Sequence, residues 1–284
     1  MSECLPGVAV TGVTGAVGGM VAARLADAGV PQRLLARDVD AVPELADAVA
    51  LRFDYDDPDT TRRGLVGVDT VFMVSAHESA QRRRQHRDFI DAAVAAGVSH
   101  LVYTSFVGAA ADAVFTLARD HHDTEQHLRD SGLTYTLLRD NFYLDMLPTM
   151  VGDDGIIRGP AGEGRAAFVA RRDVAAVAAE VLRRPDAHRD RTYLLTGPQA
   201  LTMAEVAATL SRHTGDHVTF RDETIAEARR SRRAWNPPDW QLDAWISTYT
   251  AIAAGELAEV SADVETITGR PATSLAGFLA DGAQ

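Results

Sequence analysis

The chain has no lysine: all 28 of its lysine-plus-arginine positions are arginine. That excludes a Schiff-base lysine, a Walker-type phosphate lysine and a Tyr-x-x-x-Lys catalytic pair. Cysteine is nearly absent too. Cys4 stands alone near the N-terminus, so neither an internal disulfide nor a cysteine zinc cluster can form, which suits a reducing compartment. No apolar run approaches the ~20 residues of a membrane span, and the first residues lack the charged and apolar segments of a signal peptide. The expectation is a cytoplasmic protein with no membrane partner. A net charge of −12 opposes binding to a nucleic-acid backbone. The arginine clusters at 82–84 and 229–233 are flanked by acids and read as solvated helix faces.

What is present alternates strand and helix. Residues 7–11 form an apolar strand, 12–19 a glycine-rich turn and 20–28 a helix ended by Gly29. Strands at 33–36, 51–53, 70–74, 100–104 and 133–138 are separated by helices at 40–49, 57–65, 80–96 and 112–130. Such alternation predicts a Rossmann-type, doubly wound parallel α/β sheet. The five glycines and one proline between 152 and 164 read as a flexible connection. A helix at 173–184 and a strand at 191–195 follow, and the chain is mainly helical from Thr202. The expected division is a nucleotide-binding domain over 1–185 and a smaller, mainly helical C-terminal domain over 186–284, with a soft boundary across which the chain can weave.

The strongest motif is Thr11-Gly12-Val13-Thr14-Gly15-Ala16-Val17-Gly18, lying between the first strand and the first helix. Gly12 permits the tight turn, Gly15 admits a pyrophosphate, and Gly18 lets the helix approach the sheet. The free N–H groups at the helix start attract an anion. Arg37 follows the second strand, where an acid would hold a ribose 2′-hydroxyl. Its planar, permanently charged fork suits the 2′-phosphate of NADP(H). Asp38 turned inward would favour NAD(H) instead, and an Arg37 stacked on adenine would leave the choice open. Asp54-Tyr55 follows the third strand, where an adenine edge can rest or an ordinary surface turn can form. Ser75-Ala76-His77 and Thr104-Ser105 follow the next two strands, on the sheet edge where ligands collect.

Thr-Gly-Val-Thr-Gly-Ala-Val-Gly at 11–18, Ala-Arg at 36–37, Tyr-Thr-Ser at 103–105, His-His-Asp-Thr-Glu at 121–125 and Tyr-Thr-Leu-Leu-Arg at 135–139 resemble the NmrA-like atypical short-chain dehydrogenases. Ile-Ala-Ala-Gly-Glu at 252–256 and Ser-Ala-Asp at 261–263 resemble its branch of type 2 NADPH:quinone oxidoreductases and triphenylmethane reductases. The resemblance spans nearly the whole chain. It implies an NADPH-dependent reductase with a substrate-capping C-terminal domain. By position, it implies that Gly12, Thr14, Gly15, Val17 and Arg37 hold the dinucleotide, that Ser75, Ala76 and Thr104 line its middle, and that Phe142 and Tyr143 lie near nicotinamide and substrate.

Two positions depart from the branch. Gln126 stands where a lysine is common, and Leu138-Arg139-Asp140 replaces Leu-Arg-Asn. Hydride delivery to a ketone makes a basic alkoxide that needs a good acid, whereas a quinone or cationic dye gives a delocalised or neutral product. The missing lysine therefore points to a conjugated small-molecule acceptor. His121 and Tyr143 are the remaining proton-donor candidates. Their alternatives are a polar surface histidine, grouped with His122 and His127, and a core tyrosine. His121, Asp123 and His127 lack metal-ligand spacing, so no metal is expected. Trp235, Trp240 and Trp245 suit a lid over a flat substrate, a core cluster or a homodimer contact. The rival reading is a non-catalytic, NAD(P)(H)-sensing regulator.

Overall fold

The computed structural model describes residues 5–282 of the chain, so the expectation resting on Cys4 lies outside the described residues. The chain forms two compact units. The first takes residues up to Ser105, then His122–Arg139 and Val174–Tyr193; the second takes Phe106–His121, Asp140–Asp173 and the chain from Leu194 onward.

The first part of the chain runs β1 (Val8–Thr11), α1 (Ala16–Asp27), β2 (Gln32–Ala36), β3 (Ala48–Arg52), α2 (Pro58–Leu65), β4 (Thr70–Met73), α3 (Arg82–Ala96), β5 (His100–Phe106), α4 (Thr116–Asp130) and β6 (Thr134–Asp140). Together with β9 (Arg191–Leu195), its strands make a seven-stranded sheet in the order β3-β2-β1-β4-β5-β6-β9. The pairs β3–β2, β2–β1, β1–β4 and β4–β5 are parallel. Every residue of β2, β4 and β5 is buried, the pattern of strands covered on both faces. Leu35, Phe53, Val71, Phe89, Ile90 and Leu137 belong to the core of this unit. The expected doubly wound α/β fold is borne out.

The second unit contains two short sheets. β7 (Ile156–Gly159) pairs in parallel with β11 (Thr219–Asp222), and β8 (Arg165–Ala166) pairs antiparallel with β10 (Leu201–Thr202). α5 (Arg171–Arg183) precedes β9, and the C-terminal helices are α6 (Met203–Thr214), α7 (Ile225–Arg233), α8 (Asp239–Ala253), α9 (Asp263–Thr268) and α10 (Leu275–Asp281). Thr202 with Glu205, and Thr224 with Glu227, close reciprocal capping boxes on α6 and α7. Phe106, Phe115, Phe168, Leu210, Tyr249 and Ile252 belong to its core. Among the described residues no helix is long and apolar enough to cross a membrane.

Four expectations need correction. Residues 40–49 form no helix. Pro43 interrupts the stretch, Asp47 adopts a positive φ of 55°, and β3 begins at Ala48. The glycine-rich stretch at 152–164 holds strand β7 rather than a loose connection. Arg82 is only 5% exposed, because its Nε donates to the Ala76 carbonyl at 2.9 Å. Arg232 is likewise buried, paired with Glu223 at 2.9 Å and lying over the Tyr249 ring. In both clusters a partner outside the helix overrides the local charge pattern.

Candidate functional site

The turn after β1 is built around its glycines. Gly12 has φ +64°, and its carbonyl accepts the Gly15 N–H at 2.9 Å. A Cβ on Gly18 would lie 2.3 Å from the Gly12 oxygen and 2.6 Å from the Thr11 oxygen, so only glycine lets α1 pack this closely onto β1. Gly15 caps α1 without a side-chain hydrogen bond, and no acid occupies the first helical turn. Thr14, Gly15 and Ala16 are exposed, and Val17 is buried beneath them. An uncapped, exposed helix start beside a cradle too tight for a Cβ suits the pyrophosphate of a dinucleotide.

Arg37 is exposed directly after β2, and among the described residues it has no carboxylate partner. The Asp38 carboxylate accepts the Asp40 N–H at 3.1 Å and is folded into its own turn. Asp54 is half-buried after β3, and its carboxylate accepts the Asp56 N–H at 3.1 Å. That contact shapes the loop leading to α2.

The segment after β4 is pinned at almost every polar atom. The Val74 N–H donates to Thr11 Oγ1 at 2.9 Å, the Ser75 N–H to Thr104 Oγ1 at 2.7 Å, and the Ala76 N–H to His86 Nε2 at 2.9 Å. The Tyr55 hydroxyl donates to the Val74 carbonyl at 2.5 Å, and Arg82 holds the Ala76 carbonyl. Within residues 74–76, the Ser75 carbonyl and hydroxyl alone remain without a hydrogen bond to any described residue. Burial, and secondarily the nearby Arg82 guanidinium, hold the His86 pKa well below the usual histidine value, so His86 is neutral and able to accept.

A second buried network joins strands and helix. Glu125 on α4 accepts the Ser105 hydroxyl at 2.6 Å, Arg139 at 2.8 and 2.6 Å, and Arg129 at 3.1 Å. The next residue, Gln126, is exposed. Glu125, His86 and Arg82 are not anticipated as parts of the site, whereas Thr11 opens the glycine-rich motif and Tyr55 follows the third strand. For His86 a signal existed. It shares an i, i+3, i+4, i+7 stripe with Phe89, Ile90 and Ala93, which puts it on the buried face of α3.

The second unit carries His121, Phe142 and Tyr143. His121 is 6% exposed and stacks on Phe106 with ring centroids 6.0 Å apart, so the surface-histidine alternative is set aside for it. His122 is half-buried, and His127 contacts Asp91 at 2.8 Å. The Phe142 ring packs on Phe106 and Phe115, each at 5.0 Å. The Tyr143 hydroxyl donates to the Asp140 carboxylate, and the Arg171 guanidinium lies over its ring. Burial first, and then the Asp140 charge, raise the Tyr143 pKa well above 10, so the phenol keeps its proton. Two C-terminal motif residues act as struts: the Glu256 carboxylate accepts the Val114 N–H, and Asp263 accepts the Leu194 N–H at 2.8 Å. Trp235 is 70% exposed and meets Trp245 edge-on, which removes Trp235 from the core reading.

Comparison with known proteins places this geometry. A family model described as NAD(P)H-binding matches residues 12–185. NAD(P)H azoreductase of Xenophilus azovorans is 33% identical over 278 residues, covering 95% of this chain and 96% of that protein. The NADPH-dependent quinone oxidoreductase of Escherichia coli, in its complex with NADPH, matches with a TM-score of 0.88 at 31% identity over 98% of this chain and 100% of that one. The Citrobacter sp. triphenylmethane reductase complexed with NADP(H) matches with a TM-score of 0.85 at 29% identity, over 96% and 99% of the two chains. The family expected from residues 11–18, 36–37 and 103–105, and the branch expected from 252–256 and 261–263, are borne out. The chain belongs to the NAD(P)H-binding family.

Proposed function

We propose that this protein is an NADPH-dependent reductase of quinone-like or other conjugated small molecules. The observation that carries the reading is the uncapped start of α1 above the Gly12–Gly18 cradle, followed across the sheet end by an unpaired Arg37. The relatives named above, which are quinone, azo and dye reductases by name, support it. Backbone groups of Gly12, Thr14, Gly15, Ala16 and Val17 take the pyrophosphate, and Arg37 takes the 2′-phosphate. Asp54 borders the adenine end. Ser75 offers its free carbonyl and hydroxyl to ribose hydroxyls, Thr104 orients Ser75, and Ala76 gives the segment its shape.

A bound reduced nicotinamide supplies a hydride. The chain's own residues bind, exclude water and supply a proton. Reduction of a quinone by one hydride needs one proton to give the hydroquinone, and the intermediate charge is delocalised, so a weak acid suffices. Tyr143, whose hydroxyl donates to Asp140, and His121, seated on Phe106, are the proton donors in this reading. Phe142 provides an aromatic surface for a flat acceptor. NADPH oxidation by purified protein against quinones, azo compounds, cationic dyes and simple ketones tests the proposal, with direct NADPH binding measured alongside. Turnover confined to the conjugated acceptors is expected. Tight NADPH binding with no turnover on any acceptor overturns the reductase reading in favour of a cofactor-sensing regulator.

A further inference from the structure

We infer that Arg52, at the end of β3, is a second ligand for the 2′-phosphate and shares the cofactor choice with Arg37. The inference deepens the NADPH reading and rests on it. Strand parity sets the direction of Arg52. Gln32 on β2 donates through Nε2 to the Ala22 carbonyl of α1 at 2.7 Å, so Gln32, Leu34 and Ala36 face α1. Their register partners on β3 are Ala48, Ala50 and Arg52. Residues side by side in a parallel pair share a face, so Arg52 faces the α1 side. The intervening Leu51 packs with the core on the opposite face, beside Leu35 and Phe53.

Arg52 also lies at the carboxyl end of its strand, the end at which the Gly12–Gly18 turn delivers α1 and at which Arg37 follows Ala36. The start of α1, Arg37 and Arg52 thus share one end of the sheet. Both arginines are exposed, and among the described residues neither has a carboxylate partner. The nearest acids are engaged elsewhere. Asp38 accepts the Asp40 N–H, Asp54 accepts the Asp56 N–H, and Asp57 caps α2 through Asp59 and Thr60. In a chain of net charge −12, where other arginines such as Arg62, Arg84, Arg158 and Arg165 are paired, two unpaired guanidinium groups beside a dinucleotide cradle form a site for a dianion. An arginine on an edge strand also discourages strand pairing, but that role cannot distinguish nucleotides that differ by one phosphate.

The test is calorimetric binding of 2′,5′-ADP and 5′-AMP to the wild type, Arg52→Ala, Arg37→Ala and the double variant. Arg52→Ala is expected to weaken 2′,5′-ADP by about 10-fold or more, as for loss of one charge-assisted hydrogen bond, while 5′-AMP affinity stays within about 2-fold. The double variant is expected to bind the two nucleotides alike. Wild-type affinity of Arg52→Ala for 2′,5′-ADP, or an equal loss for both nucleotides, overturns the role of Arg52 and leaves that of Arg37 standing. A wild type that binds both nucleotides alike overturns the NADPH reading itself and the inference with it.

Discussion

His86 Nε2 accepts the backbone N–H of Ala76 at 2.9 Å, and this contact fixes the tautomer of a buried histidine. The proton must reside on Nδ1, which donates to Thr124 Oγ1 at 2.8 Å. The ring therefore links the segment after β4 to helix α4, beside Glu125. Removing the acceptor with His86→Ala leaves a buried N–H unsatisfied, which costs about 1–3 kcal/mol. The urea midpoint is expected to fall accordingly, and the KM for NADPH to rise more than kcat falls. His86→Gln, whose amide oxygen can accept the same N–H, is expected to restore part of the KM. An unchanged KM in His86→Ala would refute the positioning role.

Two buried histidines set an acid limit. The pKa of His86 lies well below the ordinary value, and that of His100 is lowered to about 4, in each case chiefly by burial. His100 Nε2 contacts Thr136 Oγ1 at 2.8 Å, and the Thr136 hydroxyl proton is given to the His188 carbonyl, so His100 is the donor. The unfolded chain protonates both rings near ~6.5. Between the folded and unfolded values the unfolded state binds more protons, so stability rises with pH there. Full stability is expected above pH ~6.5, with loss as pH falls toward 4. Thermal melts of His100→Gln should show a shallower acid slope than the wild type; an identical slope would contradict this assignment.

Glu125 balances Arg139 in a site with no solvent access to the carboxylate. Glu125→Gln removes the charge and leaves the guanidinium uncompensated, at an expected cost of about 3 kcal/mol. Equilibrium urea unfolding measures it directly. Arg129→Ala touches the half-buried arm of the same network and is expected to cost about 1 kcal/mol.

Gly18→Ala places a Cβ inside the contact distance of two backbone oxygens and must push α1 off β1. Overpacking of this kind typically costs about 1–3 kcal/mol, and the shift would misplace the helix start. Both the melting temperature and NADPH affinity are expected to drop. Gly29→Ala is the control: that glycine meets no atom within 4 Å, although its φ of +67° carries a strain of its own, so NADPH affinity should be kept there.

The sheet was legible because its strands are short apolar runs, and Gly12, Gly29 and Gly97 mark its turns by positive φ. Arg37 and the glycine cradle were legible because local spacing and local chemistry define them. The helix expected at 40–49 failed because Pro43 and the left-handed Asp47 outweigh an Ala-rich composition. The supporting groups were hidden for a different reason. His86 reaches Ala76, Thr104 reaches Ser75, and Glu125 reaches Ser105 and Arg139 across 10 to 29 residues, and no local pattern encodes such pairings. Asp140 differs, because its partner Tyr143 is only three residues away, and that bond turns an oddity of sequence into a partner for a candidate proton donor.

The most direct test of the account is kcat/KM for NADPH and for NADH with one simple quinone, in the wild type and in Arg37→Ala. The wild type is expected to reduce the quinone and to favour NADPH by about 10-fold or more, and Arg37→Ala to lose most of that preference while its NADH activity is kept. A wild type that is inactive with both, or that prefers NADH, would contradict the central claim.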